Sequence, residues 1–212
     1  KNDINKFVNK NFVDHTTYFA TLEKNKNFNM VFIHKNKFFV PLTIHIELKN
    51  VHKYFKNKKR IINKVNSLKK TLMNDFKIKN PNFAIAGINP HAGENGIISK
   101  DDNKYLKPII DSLKKIKINI KGPYSGDGLI NKYNINKFDA FIFTYHDQAL
   151  IPFKIISNYS GVNYTSDLKI IRVSPSHGTA RDLINSNNLN SKGIINCFKT
   201  INKIYINRKK IV

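Results

Sequence analysis

Apolar residues recur along this chain in two alternating rhythms. Short unbroken runs at Met30–His34, 37–42, 83–88 and 138–143 have the length and the β-branched or aromatic content of buried strands. A turn separates the first two, and the third ends in Asn89-Pro90, which stops it in a loop. Elsewhere the period changes. Val51, Tyr54, Phe55, Ile61, Ile62, Val65, Leu68, Leu72 and Phe76 fall at three- and four-residue steps, which predicts one long amphipathic helix. Tyr105, Ile109, Ile110, Leu113 and Ile116 predict another, and residues 16–25 a short one before the first strand. Residues 168–173 read as a further extended piece, and 179–184 and 194–206 as closing helices. Strands alternating with helices imply an α/β fold with a largely parallel sheet. No repeat or low-complexity linker marks a clean boundary, so 1–180 reads as one α/β domain and 181–212 as closing helices.

Composition narrows the class. A chain of 212 residues with 41% hydrophobic content can bury a core of one domain, or one domain and part of another. No run approaches the ~18 apolar residues of a membrane span, and the opening segment lacks the apolar core of a signal peptide. A soluble, cytoplasmic chain is expected. The single cysteine, Cys197, excludes an internal disulfide and a cysteine-built metal site. It lies in a helical run and reads as a buried, inert thiol. The formal charge of +23 comes mostly from lysine spread end to end among abundant Asn and Ile, as A/T-rich codons would produce. No stripe of Arg and aromatics stands out, so no specific nucleic-acid partner is expected, only weak, salt-sensitive binding to polyanions.

Candidate chemistry collects beyond strand ends, where ligands of open α/β sheets bind. Asp14-His15-Thr16 precedes the first helix. Asn89-Pro90-His91-Ala92-Gly93-Glu94 follows the strand at 83–88, Tyr145-His146-Asp147-Gln148 the strand at 138–143, and Ser176-His177-Gly178-Thr179 the piece at 168–173. Neutral imidazoles from several such loops could make a three-histidine metal site with positions open to substrate oxygens. Any one of the seven histidines could equally be an ordinary surface or core residue. Lys154 and Arg172 could hold anions, or could be solvated cations. Ser176–Thr179 could receive a phosphate at a helix N-terminus, or could simply cap it. There is no Gly-x-Gly-x-x-Gly motif to support a Rossmann nucleotide site.

Taken together, Gly87-Ile88-Asn89-Pro90-His91-Ala92-Gly93-Glu94, then Gly122-Pro123 with Asp127, then Tyr145-His146-Asp147-Gln148, then His177-Gly178-Thr179-Ala180 resemble the 4-hydroxythreonine-4-phosphate dehydrogenase family in order and spacing. The resemblance covers nearly the whole chain and begins well inside the family's usual length. It implies a two-domain fold like that of isocitrate and isopropylmalate dehydrogenases with the N-terminal part missing. In that fold the closing helices would pack toward the missing first domain. It further implies a homodimer with the active site near the subunit interface, and a 212-residue piece that is inactive alone. The implied reaction is NAD- or NADP-dependent oxidation and decarboxylation of 4-phosphooxy-L-threonine to 3-amino-2-oxopropyl phosphate, in vitamin B6 biosynthesis, with one divalent ion: zinc, magnesium or cobalt. The family's metal-binding histidines fall on His15, His91 and His146, and its substrate-binding residues on Lys154, Asn163 and Arg172. His177 becomes a neighbour of the site. No general base is assigned. Asp127 and Asp147 are candidates, with helix capping or support of a metal-bound histidine as the alternative for each. The chain departs from the family pattern at Asp14, usually Gly, at Thr17, usually Glu, and at Phe39, where His is common.

Two other readings share parts of this pattern. A sister enzyme oxidising 4-phosphoerythronate or 4-phosphothreonate would keep the metal and phosphate sites. A non-enzymatic basic remnant would explain the composition but not the preserved strand-end motifs.

Overall fold

The structure is a computed structural model that describes Lys6, Phe12, and residues 14–178 and 190–210. It is built on one seven-stranded sheet: β1 (Met30–His34), β2 (Lys37–Pro41), β3 (Phe83–Ala86), β4 (Ile120–Tyr124), β5 (Ala140–Phe143), β6 (Val162–Thr165) and β7 (Arg172–Pro175). Their order is β4-β3-β5-β2-β1-β6-β7. The α/β class is as expected, but the sheet is mixed rather than largely parallel. β4, β3, β5 and β2 run parallel, whereas β1, β6 and β7 pair antiparallel with their neighbours.

The mixture has a local cause. Lys35 and Asn36 both take a left-handed backbone conformation, which turns the chain back on itself between β1 and β2. Two strands carry little strand signal. In β4, Gly122 and Pro123 break the apolar run, and proline is tolerated there because β4 lies at the sheet edge. In β6 only Val162 and Tyr164 face the larger core, while Asn163 and Thr165 alternate to the other face. The extended piece expected at 168–173 is displaced toward the C-terminus, since the strand begins at Arg172.

Helices cover both faces. On one lie α3 (Lys58–Phe76), α4 (Lys107–Lys115) and α7 (Lys192–Lys209). Ile61, Val65, Leu68, Leu72 and Phe76 of α3 are spaced to bury one stripe against Phe38, Val40, Phe83 and Ile142 of the sheet. The helix expected from 51 to 76 is broken. A short α2 (Val51–Tyr54) ends, and Asn57 restarts the chain as N-cap of α3, its side chain accepting from the Arg60 amide at 3.0 Å. On the opposite face, α6 (His146–Ser157) buries Ala149, Leu150 and Phe153 against Phe32, Phe39, Phe141 and Phe143. Of the other helices, α1 spans His15–Leu22 and α5 Lys132–Lys137, and a π-helical turn at Asp102–Leu106 leads into α4. Cys197 and Ile204 of α7 belong to the same core as α3 and α4. The helix expected at 179–184 lies outside the described residues. No helix among the described residues is long and apolar enough to cross a membrane.

Tyr164, Asp75 and Arg208 tie this core together across three elements. The Tyr164 hydroxyl donates to Asp75 Oδ2, and Arg208 forks onto the same carboxylate at 2.7 and 3.0 Å. Asp75 is a buried charge, so its pairing is obligatory. Arg208 also donates to the carbonyls of Leu168 and Lys169, and the amides of Lys169 and Ile170 in turn donate to Glu23, at the end of α1. The core is thereby connected to the helix that carries His15.

Candidate functional site

The carboxyl ends of β2, β3, β4 and β5 reach one edge of the sheet. The pairing of Met30 with Thr165, and of Thr165 with Arg172, brings the start of β1, the end of β6 and the start of β7 to the same edge. The polar motifs are loops hung from this edge.

His15 is exposed as the first residue of α1. Asp14 is the N-cap, and its carboxylate accepts from Thr17 N at 2.9 Å, Thr17 Oγ1 at 2.7 Å and His45 Nδ1 at 3.0 Å. Burial alone would raise the Asp14 carboxyl pKa, but the hydrogen bonds from His45 and Thr17 outweigh it and hold the group well below the usual carboxylate range. The two departures at Asp14 and Thr17 are therefore partners, a cap built from one carboxylate and one hydroxyl. The ring of His45 faces His146, with centroids 5.8 Å apart. His146 opens α6, and its Nδ1 lies 2.7 Å from Asp147 Oδ1. Asp14, His45, His146 and Asp147 thus form a continuous line, with His15 adjoining its first member.

His91 stands on the far side of Asp147. It lines a cavity of about 690 Å³ together with Asp127, Tyr145, Asp147 and Gln148, and with Ile151 and Ile155 on the apolar side. That volume suits a small-molecule ligand. Asp127 is fully exposed. A hydrogen bond from Ser125, with the nearby His91 as a minor contribution, lowers its carboxyl pKa.

The loop that presents His91 is unusual. His91, Ala92, Gly93, Glu94 and Asn95 all have φ between 43° and 76°, a left-handed turn that only glycine adopts freely. The buried carboxylate of Asp102 holds it. Oδ1 accepts from the Ile88 amide at 2.7 Å, and Oδ2 from the amide and side chain of Asn89 at 3.2 and 3.0 Å. A Cβ at Gly93 would come within 2.4 Å of the Ser99 carbonyl oxygen, so glycine is required for close approach as well as for φ. Gln148 performs the matching task under His146. Its Oε1 accepts from the amide and hydroxyl of Thr144, both at 2.9 Å, and its Nε2 donates to the Gly87 carbonyl at 2.9 Å. The ends of β3 and β5 are fastened together by one side chain.

The substrate-binding candidates divide. Arg172 lies at the same edge, half-buried, with Nη1 donating to Thr16 and Thr165 hydroxyls at 3.3 and 3.4 Å. Burial lowers its pKa, and the Asp14 carboxylate opposes that change. Asn163 shares the Arg172 face of the sheet, and its buried Oδ1 has no hydrogen-bond partner in the structure. Lys154 is eight residues along α6 from His146, a separation of about 12 Å along the axis. It lines a different cavity of about 310 Å³ with Ser176, His177 and Gly178, so one copy of the chain does not bring it to the histidines. Among the described residues no three His, Cys, Asp or Glu side chains are close enough together to hold a metal ion. The donor chemistry nevertheless suits a divalent ion. A carboxylate only accepts, so Nδ1 of His146 donates to Asp147, and Nε2 is the ring nitrogen left for an ion.

His45, Asp102 and the fastening role of Gln148 escaped the sequence reading. His45 could have been found by the criterion that found the others, since it follows β2 by four residues. Asp102 has no local signal, and its partners lie 13 and 14 residues away.

The sequence profile of the family described as pyridoxal phosphate biosynthetic protein PdxA matches residues 1–201. The chain is 36% identical over 176 residues to a 4-hydroxythreonine-4-phosphate dehydrogenase of a Sulfurihydrogenibium species, covering 83% of this chain and 54% of the relative. It is 35% identical over 202 residues to the Aquifex aeolicus protein of the same name, covering 93% and 62%. Among solved structures, the 4-hydroxythreonine-4-phosphate dehydrogenase of Klebsiella pneumoniae superposes with a TM-score of 0.76 at 27% identity, over 93% of this chain and 59% of that one. The chain therefore spans between about half and three-fifths of the length of these relatives.

Proposed function

Because this chain belongs to the family of pyridoxal phosphate biosynthetic protein PdxA, we propose that it forms the metal- and substrate-binding part of a dehydrogenase that oxidises and decarboxylates 4-phosphooxy-L-threonine. The product would be 3-amino-2-oxopropyl phosphate, and the setting vitamin B6 biosynthesis in the cytoplasm. The observation that carries this reading is the gathering of the His15, His91 and His146 loops at one sheet edge beside a ligand-sized cavity.

His15, His91 and His146 would hold one divalent ion, zinc, magnesium or cobalt. When bound, the ion supplies Lewis acidity toward the substrate's C3 oxygen, and NAD or NADP supplies the hydride acceptor. Arg172 would grip an anionic group with its planar fork, and the unpartnered Oδ1 of Asn163 would accept a hydrogen bond from the substrate. Oxidation sends the hydride to the nicotinamide and the hydroxyl proton to a base, for which Asp127 and Asp147, both on the cavity wall, are the candidates. The β-keto acid so formed then loses CO2. Ile151 and Ile155 would supply the apolar part of the cavity wall.

The whole enzyme would share the two-domain architecture of isocitrate and isopropylmalate dehydrogenases and work as a homodimer. The displacement of Lys154 from its own histidines supports a site near the subunit interface, which a second copy could complete. In the complete enzyme, His91→Ala and His146→Ala are expected to abolish turnover and weaken ion binding, and full activity in either would sink the ligand assignment. Formation of reduced nicotinamide with 4-phosphooxy-L-threonine, but not with 4-phosphoerythronate or 4-phosphothreonate, would separate this enzyme from a sister dehydrogenase.

A further inference from the structure

We propose that the cavity between the β1–β2 turn and α7 is a second binding site, for a phosphate monoester that carries a small apolar group. It lies at the edge of the sheet opposite the histidines, and the inference stands apart from the ion-binding reading. His34 closes β1, four strand steps or about 13 Å from Met30, whose pairing with Thr165 marks the histidine edge.

The cavity has a volume of about 430 Å³, which suits a small ligand. One side is apolar, made by the core residues Ile33, Phe76 and Val162. The other is cationic. Lys35 enters from the turn, and Lys199 and Lys203 from α7. Residues four apart share a helix face, so the two α7 lysines are presented together. Among the described residues no carboxylate lines the cavity, and none of the three lysines there has an ion-pair partner. Lysines on an open helix face are screened by water, whereas three around a concavity with an apolar wall focus their field on one volume.

Hydrogen bonds set the polar groups in place. Lys203 Nζ donates to Asn36 Oδ1 at 3.0 Å and lies 5.7 Å from the centre of the Phe76 ring, which holds the ammonium at the cavity wall with two N–H donors to spare. Asn196 gives one amide hydrogen to the Ser160 carbonyl at 2.7 Å and keeps the other. His34 Nδ1 lies 3.1 Å from Ser160 Oγ, whose only proton goes to the Ser157 carbonyl. The ring therefore donates from Nδ1 and keeps Nε2 for a ligand. Burial, and next the charge of Lys35, lower the pKa of that ring. A phosphate monoester carries close to two negative charges and three acceptor oxygens, which matches three ammoniums better than a singly charged carboxylate does. Its ester group would lie on the apolar side.

Phenyl phosphate is the probe. Titrated into the isotope-labelled chain and followed by NMR, it is expected to shift the amide signals of residues 34–36, 160–162 and 196–203 along one saturating curve. Inorganic phosphate should bind there about 5-fold more weakly, the effect of leaving about 40 Å² of apolar surface uncovered. Lys199→Met combined with Lys203→Met should weaken phenyl phosphate at least ~10-fold, because charge-assisted hydrogen bonds are lost. Lys58→Met combined with Lys59→Met removes the same charge from an exposed helix start and should leave the affinity within about 2-fold. Equal losses in the two double variants would mean general attraction to a basic chain and would overturn the proposal. Shifts confined to Lys154, His177 and Arg172 would also overturn it, since the phosphate would then sit among the groups already described. Inorganic phosphate binding as tightly as phenyl phosphate would overturn the assignment of a monoester.

Discussion

Asp102→Ala should loosen the loop that presents His91 and destabilise the whole fold. The Asp102 carboxylate is fully buried and receives the Ile88 amide, the Asn89 amide and the Asn89 side chain. Alanine at this position leaves two backbone donors without an acceptor. A buried donor stripped of its partner costs about 1–3 kcal/mol, which for two amides gives about 2–6 kcal/mol. The side chain of Asn89 can turn to water and adds little. The left-handed turn that follows makes the loss more than additive locally. Residues 91–95 hold a conformation that costs non-glycine residues roughly 1–2 kcal/mol each, and only the surrounding bonds enforce it. Urea unfolding of the variant should show the global loss, and amide exchange should show residues 88–96 opening more readily than the core of α3. Asp102→Asn keeps one acceptor oxygen and should fall between the two. A loss below about 1 kcal/mol, with exchange at 88–96 unchanged, would refute the argument that this carboxylate holds the loop.

Three further outcomes follow from the core. Arg208→Ala leaves the Asp75 carboxylate buried with only the Tyr164 hydroxyl, and breaking such a pair should cost about 3–5 kcal/mol in chemical unfolding; a cost under ~1 kcal/mol would mean that water reaches Asp75. Leu68→Ala removes a fully buried side chain of α3 and should cost about 2–5 kcal/mol, with α-helical circular dichroism retained below the new midpoint. Burial, with Arg60 adding to it, pushes the Lys64 ammonium down to about 8. Its folded value is thus depressed below the unfolded one of about 10.4. The native chain binds fewer protons than the unfolded chain between those values, so stability should rise across that interval by up to about 1.4 kcal/mol per pH unit. Lys64→Met should lack that rise. Parallel stability curves for the two proteins from pH 8 to 10 would show that Lys64 is not desolvated.

Local patterns in the sequence were enough for the α/β class, for four of the strands, and for the buried stripe of α3. The apolar runs at 83–88 and 138–143 and the three- and four-residue steps to Phe76 each report a face that must leave water, and such a face is encoded by neighbours in the chain. The polar motifs were legible for the same reason, because Asn89–Glu94 and Tyr145–Gln148 each directly follow such a run. What was missed lacked this local contrast. β4 hides behind Gly122 and Pro123, β6 behind Asn163 and Thr165, and the break before α3 behind an unbroken helical period.

The chain by itself determined which segments are apolar, how long they are, and which reactive side chains stand beside their ends. Only the tertiary structure decided which ends share an edge and what each reactive group touches. The reversal at Lys35 and Asn36 made the sheet mixed and brought Arg172 to the edge that carries the histidines. Packing of the loops at the sheet's end joined Asp14 to His45 and His45 to His146, put Asp102 beneath the His91 loop, and sent Lys154 to another cavity. The reason is physical: burial preference acts residue by residue along the chain, whereas a hydrogen bond or a shared ligand depends on distances set only when remote segments pack.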